Sequence, residues 1–479
     1  MPCLAGGDPR HAHTRDRRRG ICQEGGGAVT IPSSQDRRLA TGGLIDRTTT
    51  LPFTFDGETL TGHPGDTLAS ALLANGRTLV GRSFKYHRPR GILTAGSEEP
   101  NALVELRSGA RREPNTRATT IELYDGLDAA SQNRWPSLKL DLLALNQLFS
   151  PIFGAGFYYK TFMWPASFWE KVYEPAIRRA AGLGRAAAAP DPDHYEKANA
   201  FCDVVVIGAG ASGLAAALAA ARSGARVILC EEDFRLGGRL LAERDEIAGR
   251  PAIEWAKAAE AELESLPDCR IMRRTSVAGV YDGGTYAALE RVNDHVPTPP
   301  EHEPRQRLWR IVAKRAVLCA GAIERPIVFG DNDRPGIMLA GAVRTYLNRF
   351  GVAPGHRAVV FADNDDAFRT ASDLADAGVE VAALVDARKG SSASAQAAAD
   401  KANARYLPGA VIQRVKGGHS VKGMEIRHAN GNIERFDCDL IAMSGGWSPT
   451  VHLTTHLNGK PKWDEGLAAL VPGTLPPGM

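Results

Sequence analysis

The 479-residue sequence predicts an α/β protein: a two-dinucleotide-type Rossmann domain with an inserted second βαβ unit, preceded by a cluster-less ferredoxin-like α+β domain. Three observations predict it. A strand, a GxGxxG turn, a helix and a strand closing on an acidic residue occupy 201–232. A second strand–helix–strand pattern starts at His356, and a hairpin-plus-helix pattern at 50–76 is followed by no cysteine until Cys202. At roughly 150 residues per domain the length suits about three domains. The expected division is a disordered tail over 1–40, the ferredoxin-like domain over 41–114 and a helical, aromatic-rich segment with a linker over 115–198. The dinucleotide-binding domain takes 199–350 with 434–479, and the inserted unit takes 351–433.

The net charge is +3. Seven Arg in residues 1–40, against Asp8, Asp16, Glu24 and Asp36, account for all of it. A nucleic-acid footprint needs a basic patch on a folded surface, so the neutral remainder predicts no nucleic-acid partner. With 43% hydrophobic and 24% charged residues and no long uncharged apolar run, the chain reads as soluble, with no membrane association. Seven scattered Cys form neither a disulfide framework nor a CxxC pair, which predicts a cytoplasmic protein. The triple Arg at 17–19 lacks the apolar region of a twin-arginine signal.

Taken in chain order, 50–62 alternates apolar and polar residues around Asp56-Gly57, the pattern of a hairpin. Asp66-Thr67 then caps a helix that Gly76 ends. A plant-type iron–sulfur domain would place Cys-x4-Cys-x2-Cys after that helix; GRSFKYHRPRG stands there instead, which excludes a cluster. His87, among Lys85, Arg88 and Arg90, reads either as an anion ligand or as a structural residue of a basic surface loop. Aromatic residues crowd Phe157–Trp169, read as an interface or as plain core. The Pro- and Ala-rich stretch before 198 marks a domain boundary.

The nucleotide motif is FCDVVVIGAGASGLAAALAAARSGARVILCEE. Gly208 permits the tight turn, Gly210 lets the backbone approach a pyrophosphate, and Gly213 brings helix against strand. Ala211 and Ser212 open the helix whose N-terminus holds the anion. Glu231, with Glu232 behind it, accepts hydrogen bonds from ribose and repels a 2′-phosphate, favouring NAD or FAD over NADP. Gly238 supplies a second close approach, and Arg239 either pairs with a phosphate or is solvated. A β-meander over 270–318 runs into Ala320-Gly321-Ala322, the small-residue turn that re-enters the nucleotide domain. The second unit has Asp363, Asp365 and Asp366 where glycines belong, and their charge repels a pyrophosphate. No metal site, GxSxG elbow or Cys redox pair occurs, so no catalytic residue is nominated.

Several segments together carry a specific resemblance: GHPGDTLASALLANG (62–76), GRSFKYHRPRG (81–91), EEPNALV (98–104), SQNRWPS (131–137), AGFYYKTFMWP (155–165), VVVIGAGASGLAAA (204–217), AGAIERPIVFGDNDRPGIMLAGA (320–342) and SGGWSPTVHL (444–453). The chain resembles the N-terminal half of the alpha subunit of heterotetrameric sarcosine oxidase. That resemblance implies a component of a flavoprotein complex with beta, gamma and delta subunits. The complex would convert sarcosine to glycine, hydrogen peroxide and formaldehyde or methylenetetrahydrofolate, with FAD on the beta subunit, FMN lying at the alpha/beta interface. It further implies NAD on this chain at Gly208, Gly210, Gly213 and Glu231, and an aromatic segment facing partner subunits. The family's folate-binding half lies beyond VPGTLPPGM, so the chain reads as truncated before it. Two alternatives remain: an FAD-dependent oxidoreductase or a component of a related amine or opine oxidase, and a non-functional fragment.

Overall fold

The computed structural model describes residues 35–151, 154, 156 and 162–479. The expected tail over 1–34 lies outside the described residues, but its end at 35–40 is ordered. Arg38 donates to both Asp66 oxygens at 3.0 and 2.7 Å and to the Phe350 carbonyl at 2.8 Å. Leu39 N–H reaches Gly351 O and Ala353 N–H reaches Arg37 O. Arg38, counted with the expected disordered tail over 1–40, is thus a strap with a buried side chain, because its partners are far away along the chain.

The hairpin forms as β1 (Leu51–Phe55) and β2 (Glu58–Gly62), with Asp56 and Gly57 both at positive φ in the turn. Thr67 caps α1 (Leu68–Ala74) with Ser70 in a reciprocal capping box. Asp66, expected to share that role, instead takes Arg38, the Ser70 hydroxyl and the His63 N–H. The sheet is completed by β3 (Leu103–Leu106), β4 (Glu113–Arg117) and β5 (Leu127–Ser131), in the order β2-β1-β5-β3-β4. The boundary expected at 114 is therefore too early. β5 lies in the middle of the sheet, parallel to β1 and antiparallel to β3.

The loop after α1 is fastened by side chains. His87 is fully buried, with Nδ1 2.7 Å from Asp141 Oδ2, and Arg82 donates to the Leu138 and His87 carbonyls. Asn133 donates to the Ser83 carbonyl at 2.6 Å, so SQNRWPS and GRSFKYHRPRG lock together. Arg88 pairs with Asp331 and Asp333 and Arg90 with Asp333, so the arginines of this loop are neutralised and His87 is buried beneath them, although Phe84 in the same loop is exposed. Glu99, also buried, accepts the N–H groups of Leu93, Thr94, Asn101 and Ala102 and shapes loop 93–102.

The nucleotide motif forms β6 (Tyr195–Ile207), α2 (Ala211–Arg222) and β7 (Val227–Cys230), followed by α3 (Ala252–Ser265) and β8 (Cys269–Met272). A meander β9 (Thr275–Tyr281), β10 (Thr285–Glu290) and β11 (Gln306–Leu318) closes the sheet in the order β8-β7-β6-β11-β10-β9, with β11 returning parallel to β6.

The second unit repeats this plan. From β14 (Arg357–Ala362) the chain runs through α5 (Asp365–Asp376), β15 (Glu380–Asp386), α6 (Ala393–Lys401) and β16 (Arg405–Pro408). A meander over Val411–Gly417, Val421–Arg427 and Ile433–Phe436 leads to a return strand, β20 (Leu440–Ser444); counting those three as β17–β19, and β12 (Ala322–Glu324) and β13 (Ile337–Leu339) before them, the all-parallel order is β13-β20-β14-β15-β16. The boundaries at 350 and 434 are corrected accordingly, since β13 and β20 hydrogen-bond into the second sheet. The chain returns to the first unit one step later, where β21 (Trp447–Pro449) pairs with β12. One hydrophobic cluster joins Phe53, Leu72 and Val104 of the α+β unit to α4 (Ala340–Asn348) and the second sheet through Tyr346 and Phe350.

The expected aromatic-rich segment is only partly within view: 157–161 lie outside the described residues. Trp164, 84% exposed, and Trp135, Phe149, Met163 and Phe168 are all exposed, so these side chains are not core. No helix among the described residues is long and apolar enough to cross a membrane.

Asp66→Ala should lower unfolding stability by about 3 kcal/mol or more in denaturant titrations, because it strands a buried guanidinium. Breaking the exposed Arg178–Glu174 pair should cost less than about 0.5 kcal/mol.

Candidate functional site

The glycine turn is fixed by contacts that exclude a side chain. Gly208 has φ +96°, and a Cβ there would lie 2.4 Å from the Cys319 carbonyl oxygen. At Gly213 a Cβ would lie 1.8 Å from the Gly208 carbonyl oxygen. Strand, helix and the return strand β11 therefore converge at backbone distance, and Ala320 follows within the same crossing. Gly321, at φ +67°, turns the chain into β12 and accepts the Thr450 N–H at 3.0 Å. Gly238 approaches Gly210 from the far side: a Cβ on Gly238 would lie 3.0 Å from Gly210 Cα.

Gly210 is the N-cap of α2, and no side chain caps it. The N–H groups of Ala211, Ser212 and Gly213 are the orphan donors of a first turn, and Ser212 is exposed beside them. The corresponding end of α5 is different: the Asn364 side chain accepts the Ala367 N–H, Asp365 pairs with Arg388, and Asp366 pairs with Arg239 and Arg344. The second unit has filled its own anion position with protein groups, and the first has not.

Glu231 directly follows β7 and is 7% exposed. It accepts the Ala209 N–H at 2.7 Å and the Asp233 N–H at 2.9 Å, and burial pushes its carboxyl up to about 7 against the pull of those two bonds. Beside it, burial pushes the Asp233 carboxyl up, but the Arg349 guanidinium outweighs that and holds it below its usual value.

A cavity of about 450 Å³ opens in front of Glu231, Glu232 and Gly238. Its floor is loop 95–98 of the α+β unit; its far wall is Ala322, Glu324, Gly341 and Trp447. Three parts of the chain therefore surround it. Glu232 is exposed and accepts from the Ser97 hydroxyl at 3.0 Å, and its carbonyl takes Arg291. Arg239 is half-exposed, and protein carboxylates rather than a phosphate are its partners. It pairs with Glu243 at 2.6 Å and Asp366 at 2.9 Å and lies 4.2 Å over the Trp447 ring, bridging the two Rossmann units.

Sequence reasoning passed over the far wall. Glu324 is 6% exposed and accepts the Gly341 N–H at 2.8 Å. Burial pushes its carboxyl up to about 7, with the Ser444 hydroxyl and the Gly341 N–H pulling the other way. Glu324 and Trp447 lie inside the AGAIERP and SGGWSP segments, so the signal was that each closely follows a small-residue turn. No group of three metal-ligating side chains occurs among the described residues.

Residues 48–134 match a family described as a 2Fe-2S iron–sulfur cluster binding domain, and residues 203–245 match the FAD dependent oxidoreductase family. The cluster does not fit the residues present, because 48–134 contain no cysteine. The chain is 55% identical over 439 residues to the alpha subunit of sarcosine oxidase from Rhizobium meliloti (strain 1021), covering 91% of this chain and 44% of that protein. Against the alpha subunit of sarcosine oxidase from Corynebacterium sp. (strain U-96) the figures are 38% identity, 93% and 42%. The chain thus spans less than half the length of these relatives. An opine oxidase subunit from Agrobacterium tumefaciens (strain Ach5) is 31% identical over 39% of this chain and 37% of its own length. Among solved structures, L-proline dehydrogenase from P. horikoshii superposes with TM-score 0.58 at 21% identity, over 91% of this chain and 67% of its own. That likeness shows a shared fold.

Because the Glu231 and Glu324 carboxyls are raised, each favours folding fully below its unfolded value near 4.5 and loses that contribution as pH rises through about 7. Glu324→Gln should therefore shrink the loss of unfolding stability between pH 5 and 8 by about 1–3 kcal/mol, read from denaturant titrations at both pH values.

Proposed function

We propose that this chain is the dinucleotide-binding part of a sarcosine oxidase alpha subunit. The observation that carries the nucleotide reading is the uncapped N-terminus of α2 beside three close-packed glycines. A diphosphate there accepts the N–H groups of Ala211, Ser212 and Gly213 and gains from the helix dipole. Glu231, anchored at Ala209 and Asp233, turns its remaining acceptor capacity to a ribose. Gly238 leaves room for the diphosphate on the other side of Gly210. Ala320 and Gly321 back the turn, Glu232 borders the cavity and Arg239 joins its walls.

The occupant we assign is NAD, which follows the similarity to sarcosine oxidase alpha subunits over nearly the whole chain. When bound it supplies an adenosine diphosphate anchor; among the described residues none is assigned to move a proton or hydride with it. Amine oxidation then belongs to a beta subunit carrying FAD, with FMN between the subunits, and gamma and delta subunits complete the complex. The reaction is oxidative demethylation of sarcosine to glycine and hydrogen peroxide, with formaldehyde or methylenetetrahydrofolate as the one-carbon product. The exposed Trp135, Phe149, Met163 and Trp164 suit burial against such partners. We assign the complex to the cytoplasm, and the α+β unit a structural role without an iron–sulfur cluster.

A second reading, FAD on this chain, is favoured by the match of 203–245 to FAD dependent oxidoreductases. Denaturing the purified chain and identifying the released nucleotide separates the two. The expected outcome is one NAD per chain and no visible absorbance. A yellow protein releasing FAD establishes the second reading, and a chain that neither carries nor takes up either nucleotide contradicts both.

A further inference from the structure

The cavity runs from Glu231 and Gly238 to a wall that the adenosine anchor does not use. The acid of that wall is Glu324 on β12, almost fully buried against α4; Arg344 of α4, which also lines the cavity, is paired with Asp366 and Asp373. Its Oε2 accepts the Gly341 N–H, and the Ser444 hydroxyl also hydrogen-bonds the carboxyl. Two donors do not exhaust the four lone-pair positions of a carboxylate, so acceptor capacity remains for an occupant of the cavity that Glu324 lines. The groups facing this carboxyl are Asp366, Arg239 and the Ser444 hydroxyl. Arg239 is already paired with Glu243 and Asp366, so the cation nearest this carboxyl among the described residues is shared with other acids. A buried carboxyl in that position is stable where its partner offers a donor and, once the acid is protonated, an acceptor beside it.

Resting on the dinucleotide reading above, we infer that Glu324 selects the non-adenosine end of the bound nucleotide by pairing with an amide edge, an N–H beside a C=O. A carboxyl near neutrality both accepts and donates, and matches that edge with two hydrogen bonds. Two sources carry such an edge: the carboxamide of nicotinamide and the N3–H imide of a flavin. A carboxylate in its place meets Glu324 as a like charge in a desolvated pocket, which specificity by exclusion exploits. Glu324 contributes positioning and choice of ligand, with no covalent step.

Calorimetric titration of the full chain, freed of bound nucleotide, tests this with two ligand pairs and one anchor. The pairs are NAD against its nicotinic acid analogue, and FAD against N3-methyl FAD; the anchor is ADP-ribose. The expected result is a preference of about tenfold or more within one pair, which also identifies the source of the amide edge. Glu324→Leu should collapse that preference to within about twofold while leaving ADP-ribose affinity unchanged. If the nicotinamide pair is the selective one, Glu324→Gln should restore NAD affinity but not exclusion of the acid analogue. ADP-ribose binding with no preference in either pair of the unmodified chain overturns the inference alone, and needs no variant. Failure of ADP-ribose to bind overturns the dinucleotide reading and this inference with it.

Discussion

Everything around the site depends on the approach of the Gly213 backbone to the Gly208 carbonyl oxygen, where even one methyl group has no room. That contact forces α2 to start immediately after β6, aims its first-turn N–H groups into the open, and sets β11 against the turn through Cys319. A side chain at either glycine would push the helix away and lose all three alignments together. The cavity, the ribose position at Glu231 and the crossing at Ala320-Gly321 inherit their geometry from it.

The two Rossmann units use the same plan for opposite ends. In the first, the helix N-terminus is left without a protein partner and the nearby carboxylate is buried and held by backbone N–H groups. In the second, Asn364, Asp365 and Asp366 satisfy the helix and extend ion pairs toward Arg239 and Arg344. The second unit thereby acts as a wall and a brace. Its α4 presents Gly341 to the cavity, and its core merges with that of the α+β unit through Tyr346, whose hydroxyl reaches the Thr94 carbonyl at 2.8 Å. A surface that a ferredoxin-like domain would ordinarily devote to its cluster loop holds these units together instead.

What could be read along the chain was local. Turn residues at Asp56-Gly57, the capping Thr67 and the spacing of Gly208, Gly210 and Gly213 each act within a few residues, so each was legible directly. What escaped reading depends on distant partners. His87 looked like part of a basic surface loop because Asp331 and Asp333, which neutralise Arg88, come more than 240 residues later. β5 lacks strong alternation and takes its place in the middle of the sheet from neighbours on both sides. β20 belongs to the second sheet although almost the whole of that unit lies between it and its neighbour β14. Glu324 went unnoticed because nothing about a Glu on a short strand marks it as buried until Gly341 and Trp447 are placed beside it.

If the first unit alone holds the diphosphate of an adenine dinucleotide, a crystal structure of the chain grown with ADP-ribose should make it visible. The diphosphate is expected against the N–H groups of Ala211–Gly213 with a ribose hydroxyl on Glu231, and no ligand at Asn364. Diphosphate density at the second unit, or anywhere away from the Gly208–Gly213 turn, contradicts that assignment.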